Sequence, residues 1–214
     1  PWLRHVFRTL HEKAVVFIEY APLETAWVPI LGDNYLYLYC LWVSGSHKGK
    51  GYGRMLMEYC LQDARERGKS GVCMLGADKQ KAWLSDQAFA QKFGFETVDA
   101  TEYGYQLLAC SLDGTVPRFS PAAKRGEIDG QELTVYYDFQ CPYICQSVEL
   151  VRQYCGERQI PVSLRLVDTQ QKAKELPCVF NNWAVFYQGK LQTVNLLDAA
   201  ALKRMFQREE GRPV

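Results

Sequence analysis

The segment that decides the fold runs from residue 35 to residue 60 and reads YLYLYCLWVSGSHKGKGYGRMLMEYC. Its first part, Tyr35 to Ser44, is a continuous apolar and aromatic run, which predicts a central strand covered on both faces. Apolar residues then recur at helical spacing from Arg54 to Arg67, and Gly68 follows as a helix stop. A basic, glycine-rich loop, Ser44 to Gly53, joins the two. The segment therefore predicts a strand, a loop and a helix in that order.

The loop combines a flexible backbone with positive charge directly before a helix. Free N–H groups and the helix dipole at such a place favour an anion, and a pyrophosphate suits it well. Glycine lets the backbone approach phosphate oxygens, Lys48 and Lys50 would supply charge, and Arg54 would add a forked donor. A solvated connector has the same composition, so the loop alone leaves both interpretations open.

The regions on either side of this segment predict further strands. Arg4 to Leu10 and Lys13 to Tyr20 are β-rich runs that predict a hairpin, which carries on through Thr25 to Leu31. The patterns that follow predict strands at 70–77, 95–98 and 105–112 and a short helix at 85–93. Because the chain starts at Pro1 almost directly in a strand pattern, we expect the first domain, 1–112, to be amino-terminally incomplete.

Residues 113–130 (DGTVPRFSPAAKRGEIDG) have prolines, glycines and charges without a sustained period, which predicts a linker. A second domain, 131–214, follows it. Its patterns predict a strand at 132–139, a helix at 143–158, a strand at 162–168, a hairpin at 183–193 and a helix at 197–206. The order βαβ, then ββα, is that of a minimal thioredoxin fold.

Two motifs of the first domain resemble a known family. Lys48, Gly51 and Gly53 fill the GNAT motif [Q/R]-x-x-G-x-[G/A], with Lys in place of Gln or Arg, and 89–95 (FAQKFGF) is similar to the family's F-Y-x-K-x-G-F. Residues 2–112 thus resemble GNAT acyltransferases. The resemblance implies an α/β (α+β) fold with a mixed twisted sheet and flanking helices. It also implies acetyl-CoA as the acyl donor and, as acceptor, a primary amine of a small molecule or peptide.

The same resemblance implies which residues bind coenzyme A. Leu41-Trp42-Val43 looks like the end of the splayed GNAT strand, whose backbone pairs with the pantetheine arm. The implied cofactor-binding residues are Leu41, Trp42, Val43, Lys48, Gly49, Lys50, Gly51, Tyr52, Gly53 and Arg54.

The chain also departs from the family pattern. The tyrosine that many members use to protonate the leaving thiolate falls at Ala90, and the carboxylate base of histone-modifying relatives falls at Tyr37. An asparagine often found in the next helix is replaced by Trp83, and the family's first strand and two helices are missing or reduced to Trp2-Leu3. The groups that transfer protons are therefore not given by the motifs.

Three residues are candidates for proton transfer. Tyr37 and Tyr39 lie on one face of the central strand, and Glu19 lies in the strand run 17–20. Tyrosine also suits the packing of a half-buried strand, and Glu19 could be a charge at the rim, so the structural alternatives stay open.

The second domain contains the redox candidates Cys141 and Cys145, in the order CPYIC between a strand and a helix. At a helix N-terminus, where Pro142 suits the first position, the dipole would lower the pKa of the Cys141 thiol. The string resembles the C-P-Y-C motif of glutaredoxins with one extra residue, so Cys145 could be only helix packing. The cis-proline typical of the thioredoxin fold would be Pro177, or its position falls near Asn181 if 183–190 is the matching hairpin.

Three further strings, 139–143 (FQCPY), 177–180 (PCVF) and 186–190 (FYQGK), look like the YoaP-type domain that follows a GNAT domain in some bacterial proteins. Residues 17–22 and 83–86 are similar to the same subgroup. We expect this domain to have a structural or substrate-gating role ahead of dithiol chemistry. Two rival functions stay open: a CoA-binding module without catalysis and a thiol oxidoreductase.

Composition narrows the classes of partner. Twenty-five basic and 24 acidic residues give a net charge of +1, so we expect neither a nucleic-acid nor a membrane partner. The apolar stretches are shorter than the roughly 20 residues that cross a bilayer, so a cytoplasmic protein is expected, as a monomer or a homodimer. Most of the eight cysteines sit singly in apolar runs, which predicts reduced, buried thiols, and no metal site is predicted.

Overall fold

The computed structural model describes residues 6–9, 15–79, 81, 84–141 and 143–207. The predicted Trp2, Trp83 and Pro142 features lie outside the described residues. The first part of the chain contains, in order, β1 (Val6–Thr9), β2 (Val16–Pro22), β3 (Ile30–Leu31), β4 (Tyr35–Val43), α1 (Tyr52–Glu66), β5 (Gly71–Ala77), α2 (Gln87–Gln91), β6 (Glu96–Ala100), β7 (Tyr105–Ser111) and β8 (Arg118–Phe119).

Six of these strands form one mixed sheet in the order β1-β2-β4-β5-β7-β6. The predicted strand, loop and helix at its centre are confirmed as β4, the loop and α1. The predicted hairpin is confirmed for β1 and β2, which pair antiparallel. Its continuation was wrong for Thr25 to Val28, because the N–H groups of Thr25 and Ala26 donate to the carbonyl of Pro22 and close a turn.

The central strands β4 and β5 are parallel but pair only from Tyr35–Gly71 to Tyr37–Cys73. Beyond this point the ladder ends, although both strands continue. In the ladder between β2 and β4, Glu19 pairs with Cys40 and Tyr20 with Leu38, so Tyr39 is the extra residue of a β-bulge. The bulge turns Tyr39 and Cys40 toward the same face of the sheet, whereas Leu38 and Leu41 pack on the α1 face.

The second part of the chain contains β9 (Leu133–Tyr137), α3 (Tyr143–Glu157), β10 (Val162–Leu166), α4 (Gln170–Lys174), β11 (Trp183–Tyr187), β12 (Lys190–Thr193) and α5 (Ala199–Gln207). Its four strands form a sheet in the order β10-β9-β11-β12, with β9 and β10 parallel and the other pairs antiparallel. The predicted βαβ–ββα element order is confirmed, and α4 was not predicted. No peptide bond among the described residues is cis, so Pro177 is not the expected cis-proline, and the residue before the hairpin is Asn182.

The two sheets share a hydrophobic core. One cluster joins the face of β4, β5 and β7 opposite α1 to residues of the second part, including Val179, Phe180 and Phe186. Lys174 ties the two parts further, because its Nζ donates to the carbonyls of Leu23 at 2.9 Å and Ile30 at 3.1 Å. The second sheet therefore covers the open face of the first.

The segment predicted as a linker, 113–130, is packed between the two parts. Its strand β8 pairs with β3, and Phe119 and Ala123 are buried in the shared core. The N–H of Ile128 donates to the carbonyl of Gly189 at 2.8 Å, which joins the segment to the second sheet. The domain boundaries on either side of it stay a prediction.

Candidate active site

A cavity of about 620 Å³ opens where the free end of β4 meets the N-terminus of α1. Nine of the ten residues implied to bind coenzyme A line it, namely Leu41, Trp42, Val43, Lys48, Gly49, Gly51, Tyr52, Gly53 and Arg54. Lys50 is exposed and is not among the lining residues, so its role in cofactor binding stays a prediction. The strand end and the glycine-rich loop thus form one wall of a single cavity.

The loop presents its backbone to this cavity. Gly51 is the N-cap of α1 and has φ 84°, and Gly49 has φ 76°, conformations that side chains with a Cβ rarely adopt. The first intrahelical bond runs from Met55 N–H to the carbonyl of Gly51. The N–H groups of Tyr52, Gly53 and Arg54 precede this first helical donor, so they have no acceptor within the helix and can bind an anion.

Sequence reasoning missed His47 as a member of this wall. The ring is only 9% exposed and lies against the Tyr52 ring, with 5.2 Å between the centroids. A short 3₁₀ turn at Gly45–His47 places it there. A histidine directly before a basic glycine loop is a weak signal, because nothing in its spacing distinguishes a buried ring from an exposed one.

The opposite wall comes from α2 and the residues before it. Leu84, Ser85, Asp86, Phe89 and Ala90 line the cavity, and Asp86 caps α2 by accepting from the N–H of Phe89 at 3.0 Å. Ala90 is 1% exposed, so the position at which the resemblance expects a proton donor is filled by a methyl group. The predicted motif helix is confirmed, in a shorter form than residues 85–93.

The candidates Tyr37 and Tyr39 lie together on the face of β4 that the second sheet covers. Their rings are 4.8 Å apart in an edge-on arrangement, and both are buried. Burial raises the pKa of each hydroxyl well above its ordinary value, so both are neutral proton donors at physiological pH. The two side chains are confirmed as neighbours on one face. Neither lines the cavity of about 620 Å³ described above.

Asn181, from the second part of the chain, reaches these tyrosines. The Tyr37 hydroxyl donates to Asn181 Oδ1 at 2.7 Å, and Asn181 Nδ2 donates to the Tyr39 carbonyl at 3.3 Å. Asn181 also shares a small cavity with Met74, Leu75 and Ser85, between the diverging ends of β4 and β5. A residue 144 positions distant in sequence from Tyr37 thereby enters the cleft of the first sheet.

Glu19, the third candidate, lies on β2 opposite Cys40 and accepts a hydrogen bond from Gln140 Nε2 at 3.0 Å. Gln140 belongs to the loop after β9, so this contact again joins the two parts. Next to it lies Asp138, which is 2% exposed and whose Oδ1 accepts from the N–H of Gln140 at 2.9 Å. Burial, aided by the nearby Glu19 charge, raises the pKa of Asp138 to about 6.

Comparison with known proteins gives matches in both parts of the chain. A model of the Acetyltransferase (GNAT) family matches residues 3–95, and a YoaP-like family model matches residues 161–204. The Bacillus subtilis (strain 168) protein "Uncharacterized N-acetyltransferase YoaP" is 31% identical over 202 residues, which cover 94% of this chain and 80% of that protein. This chain belongs to the GNAT acetyltransferase family. Its second part contains a YoaP-like region.

Solved structures of GNAT proteins match about half of this chain at low identity. A putative GNAT acetyltransferase from Desulfovibrio desulfuricans is 14% identical, with a TM-score of 0.40, and covers 48% of this chain. The chain spans 65%, just under two thirds, of that protein's length. A GNAT acetyltransferase from Brucella melitensis, solved in complex with acetyl-CoA, is 22% identical, with a TM-score of 0.35, and the match covers 50% of this chain and 56% of that one.

The cysteines of this GNAT chain are all free, and five are buried, as predicted for reduced thiols. The expected low pKa of the Cys141 thiol was wrong. Burial raises it, and the carboxylates of Glu19 and Asp138 add to this effect, which outweighs the N–H groups of Tyr143 and Ile144. Cys145 is exposed, so it does not pack the helix into the core.

The helices of the described part of the chain include none with the length and apolar character of a membrane span.

Proposed function

We propose that this chain transfers the acetyl group of acetyl-CoA to the primary amine of a small molecule or peptide. One observation carries the proposal: the unpaired end of β4 and the glycine-capped N-terminus of α1 line the same cavity. Acetyl-CoA, when bound, supplies the acyl thioester. The side chains and the backbone of this chain would bind the cofactor, orient the amine and transfer the protons.

The residues of the cavity suit the parts of coenzyme A. The free N–H groups of residues 52–54, together with Lys48 and Arg54, would hold the diphosphate. The backbone of Leu41, Trp42 and Val43 would pair with the pantetheine arm, because β4 has no strand partner on the β5 side beyond Tyr37. Leu41 and Phe89 give this part of the cavity an apolar lining.

Proton transfer is assigned to groups at the splayed end of the strands. Tyr37 and Tyr39 are protonated donors, so they suit the leaving thiolate rather than the incoming amine. Glu19 is the carboxylate candidate for accepting a proton from the amine, and Gln140 holds it in place. The YoaP-like domain would close the acceptor side of the cleft, which favours a gating role over dithiol chemistry.

The test is release of free thiol from acetyl-CoA in the presence of a panel of primary amines. Wild-type protein should bind acetyl-CoA and release thiol only when an accepted amine is present. Gly51→Leu should weaken acetyl-CoA binding by roughly 50-fold or more, because the new side chain strains the left-handed backbone and covers the N–H groups.

Gly114→Leu is the matched control. Gly114 has φ 87°, close to the 84° of Gly51, and a Cβ at either position meets no atom within 4 Å. Gly114 lies in the turn after β7, away from the cavity, so its substitution should strain the chain equally and leave acetyl-CoA binding unchanged. Equal binding by both variants would refute the assignment of the cavity. Binding without thiol release from any amine would favour a module that binds CoA without catalysis.

A further inference from the structure

A second cavity, of about 440 Å³, lies between the two sheets. Ala21, Thr25, Trp27 and Tyr39 line it from the first part of the chain, and Asp138, Phe139, Gln140, Leu166, Val167 and Asp168 line it from the second. Tyr39 is the bulged residue of β4, and the next residue, Cys40, lines the larger cavity. The two cavities thus have lining residues that are neighbours in the chain at the bulge.

Asp138 is the unusual group in this cavity. Its side chain is almost fully buried, and its Oδ2 accepts no hydrogen bond from any residue that the structure describes. A buried carboxylate oxygen without a partner has lost its hydrogen bonds to water without replacement, so it calls for an explanation. The other oxygen accepts from the Gln140 N–H at 2.9 Å, and Asp138 is one of the residues that line the cavity.

The charges around the cavity are of one sign. Besides Asp138, the lining contains Asp168, and Glu19 lies behind Gln140. None of the described lining residues is a lysine, arginine or histidine, and Lys172, which pairs with Asp168 at 2.6 Å, is mostly exposed. The remaining walls are largely aromatic and aliphatic: Trp27, Tyr39, Phe139, Leu166 and Val167.

We propose that this cavity is the acceptor subsite, and that the free oxygen of Asp138 pairs with the ammonium group of a primary amine that has an apolar or aromatic body and no carboxylate. The inference rests on the proposed acetyl transfer and names its substrate class. A cation would satisfy the unpartnered oxygen, and the apolar walls would bury the rest of the molecule.

The same geometry excludes free amino acids. Their carboxylate would enter a cavity walled by Asp138 and Asp168, with Glu19 nearby, and would meet no cation in the described lining. Like charges brought together in a partly buried site repel each other strongly. Discrimination between an amine and its carboxylated counterpart is therefore the signature of the subsite.

The matched pair 2-phenylethylamine and phenylalanine tests the subsite on the full chain. Acetyl transfer should favour 2-phenylethylamine by roughly 100-fold or more in kcat/KM. In Asp138→Asn the KM for 2-phenylethylamine should rise by about 30-fold, because the charge-assisted pair is lost, while the affinity for acetyl-CoA stays unchanged. Asp33→Asn is the control, since that carboxylate is exposed and lies outside the lining of both cavities, and its effect should stay within about threefold.

Calorimetric titration of each amine into the protein without acetyl-CoA separates the two proposals. Binding of 2-phenylethylamine but not phenylalanine, weakened in Asp138→Asn, supports the subsite whatever the fate of the acetyl donor. If phenylalanine binds or reacts as well as 2-phenylethylamine, or if Asp138→Asn leaves KM and amine affinity as they were, the subsite is refuted even when acetyl transfer is observed. The wild-type comparison keeps the test valid should the variant fold poorly.

Discussion

The cofactor cavity and the acceptor cavity share strand β4, but the chain builds them in different ways. Residues 40–57 supply most of the cofactor cavity in one continuous stretch. The acceptor cavity takes residues 21–39 from the first part and residues 138–168 from the second, and neither group encloses it alone. The cavity for the common donor is therefore local in sequence, whereas the cavity for the specific acceptor depends on how two sheets pack.

The largest expected effect concerns that packing. Phe180 is buried in the core that both sheets share, so Phe180→Ala should lower the free energy of unfolding by about 3–5 kcal/mol. Amide hydrogen exchange read by mass spectrometry should show loss of protection in β4 and β5 as well as in β9 and β11. Phe206→Ala, at a partly buried phenylalanine of α5, should cost about 1 kcal/mol. Loss confined to the second sheet would show that the first is stable by itself.

The next effect concerns the buried carboxylate of the acceptor cavity. The pKa of Asp138 is about 6 in the folded chain, against an ordinary value of 3.8. Between pH 3.8 and about 6 the folded chain therefore keeps this carboxyl protonated, whereas the unfolded chain has lost the proton. This contribution is full below about pH 4 and is lost as the pH rises through about 6. The stability of Asp138→Asn relative to wild type should therefore be about 2 kcal/mol more favourable at about pH 8 than at about pH 4.

The surroundings of Asp138 determine its pKa. Burial is the largest influence and raises it, the Gln140 N–H lowers it, and the Glu19 charge raises it further. Chemical denaturation at the two pH values gives the difference. Asp168→Asn should show a pH dependence of stability with the opposite sign, because Lys172 holds the pKa of Asp168 below its ordinary value. Equal stability differences at both pH values would mean that Asp138 ionises like an exposed aspartate.

The contrast between the cavities also explains what the sequence predicted. The strand, loop and helix of 35–67 follow from apolar periodicity and glycine placement, so nine of ten expected lining residues lie at one cavity. Loop composition alone does not distinguish Lys48, which lines the cavity, from Lys50, which does not. Asp138, Asn181 and the packing of 113–130 could not be predicted, because they depend on contacts between residues more than 100 positions apart or on which face a second sheet covers.

The local error on Cys141 has a similar cause. The helix N-terminus lies where the sequence placed it, and its N–H groups do act to lower the thiol pKa. Burial is the largest cause that raises it, Glu19 adds to it from β2 in the other part of the chain, and Asp138 adds to it from the same loop. A dipole argument made from one helix therefore gave the wrong sign.

A smaller effect is expected at the hydrogen bond between Tyr37 and Asn181. Asn181→Ala removes the acceptor of the Tyr37 hydroxyl, so the orientation of this donor is lost and kcat should fall about 10-fold, with the KM for acetyl-CoA nearly unchanged. Asn181→Asp, which keeps an acceptor oxygen, should recover much of the rate. Steady-state kinetics that show an equal loss in both variants would indicate that Asn181 only supports packing.

The smallest effect compares two lysines of the glycine loop. Lys48 lines the cofactor cavity and Lys50 does not, although both are exposed and lie two residues apart. Lys48→Ala should weaken acetyl-CoA binding about fivefold at low salt, and Lys50→Ala by less than about twofold, because an exposed charge that does not face the ligand is screened. Titrations at two salt concentrations measure both values, and the difference should shrink as salt rises. An equal loss would mean that the loop attracts the cofactor only by its overall charge, and that its geometry selects neither lysine.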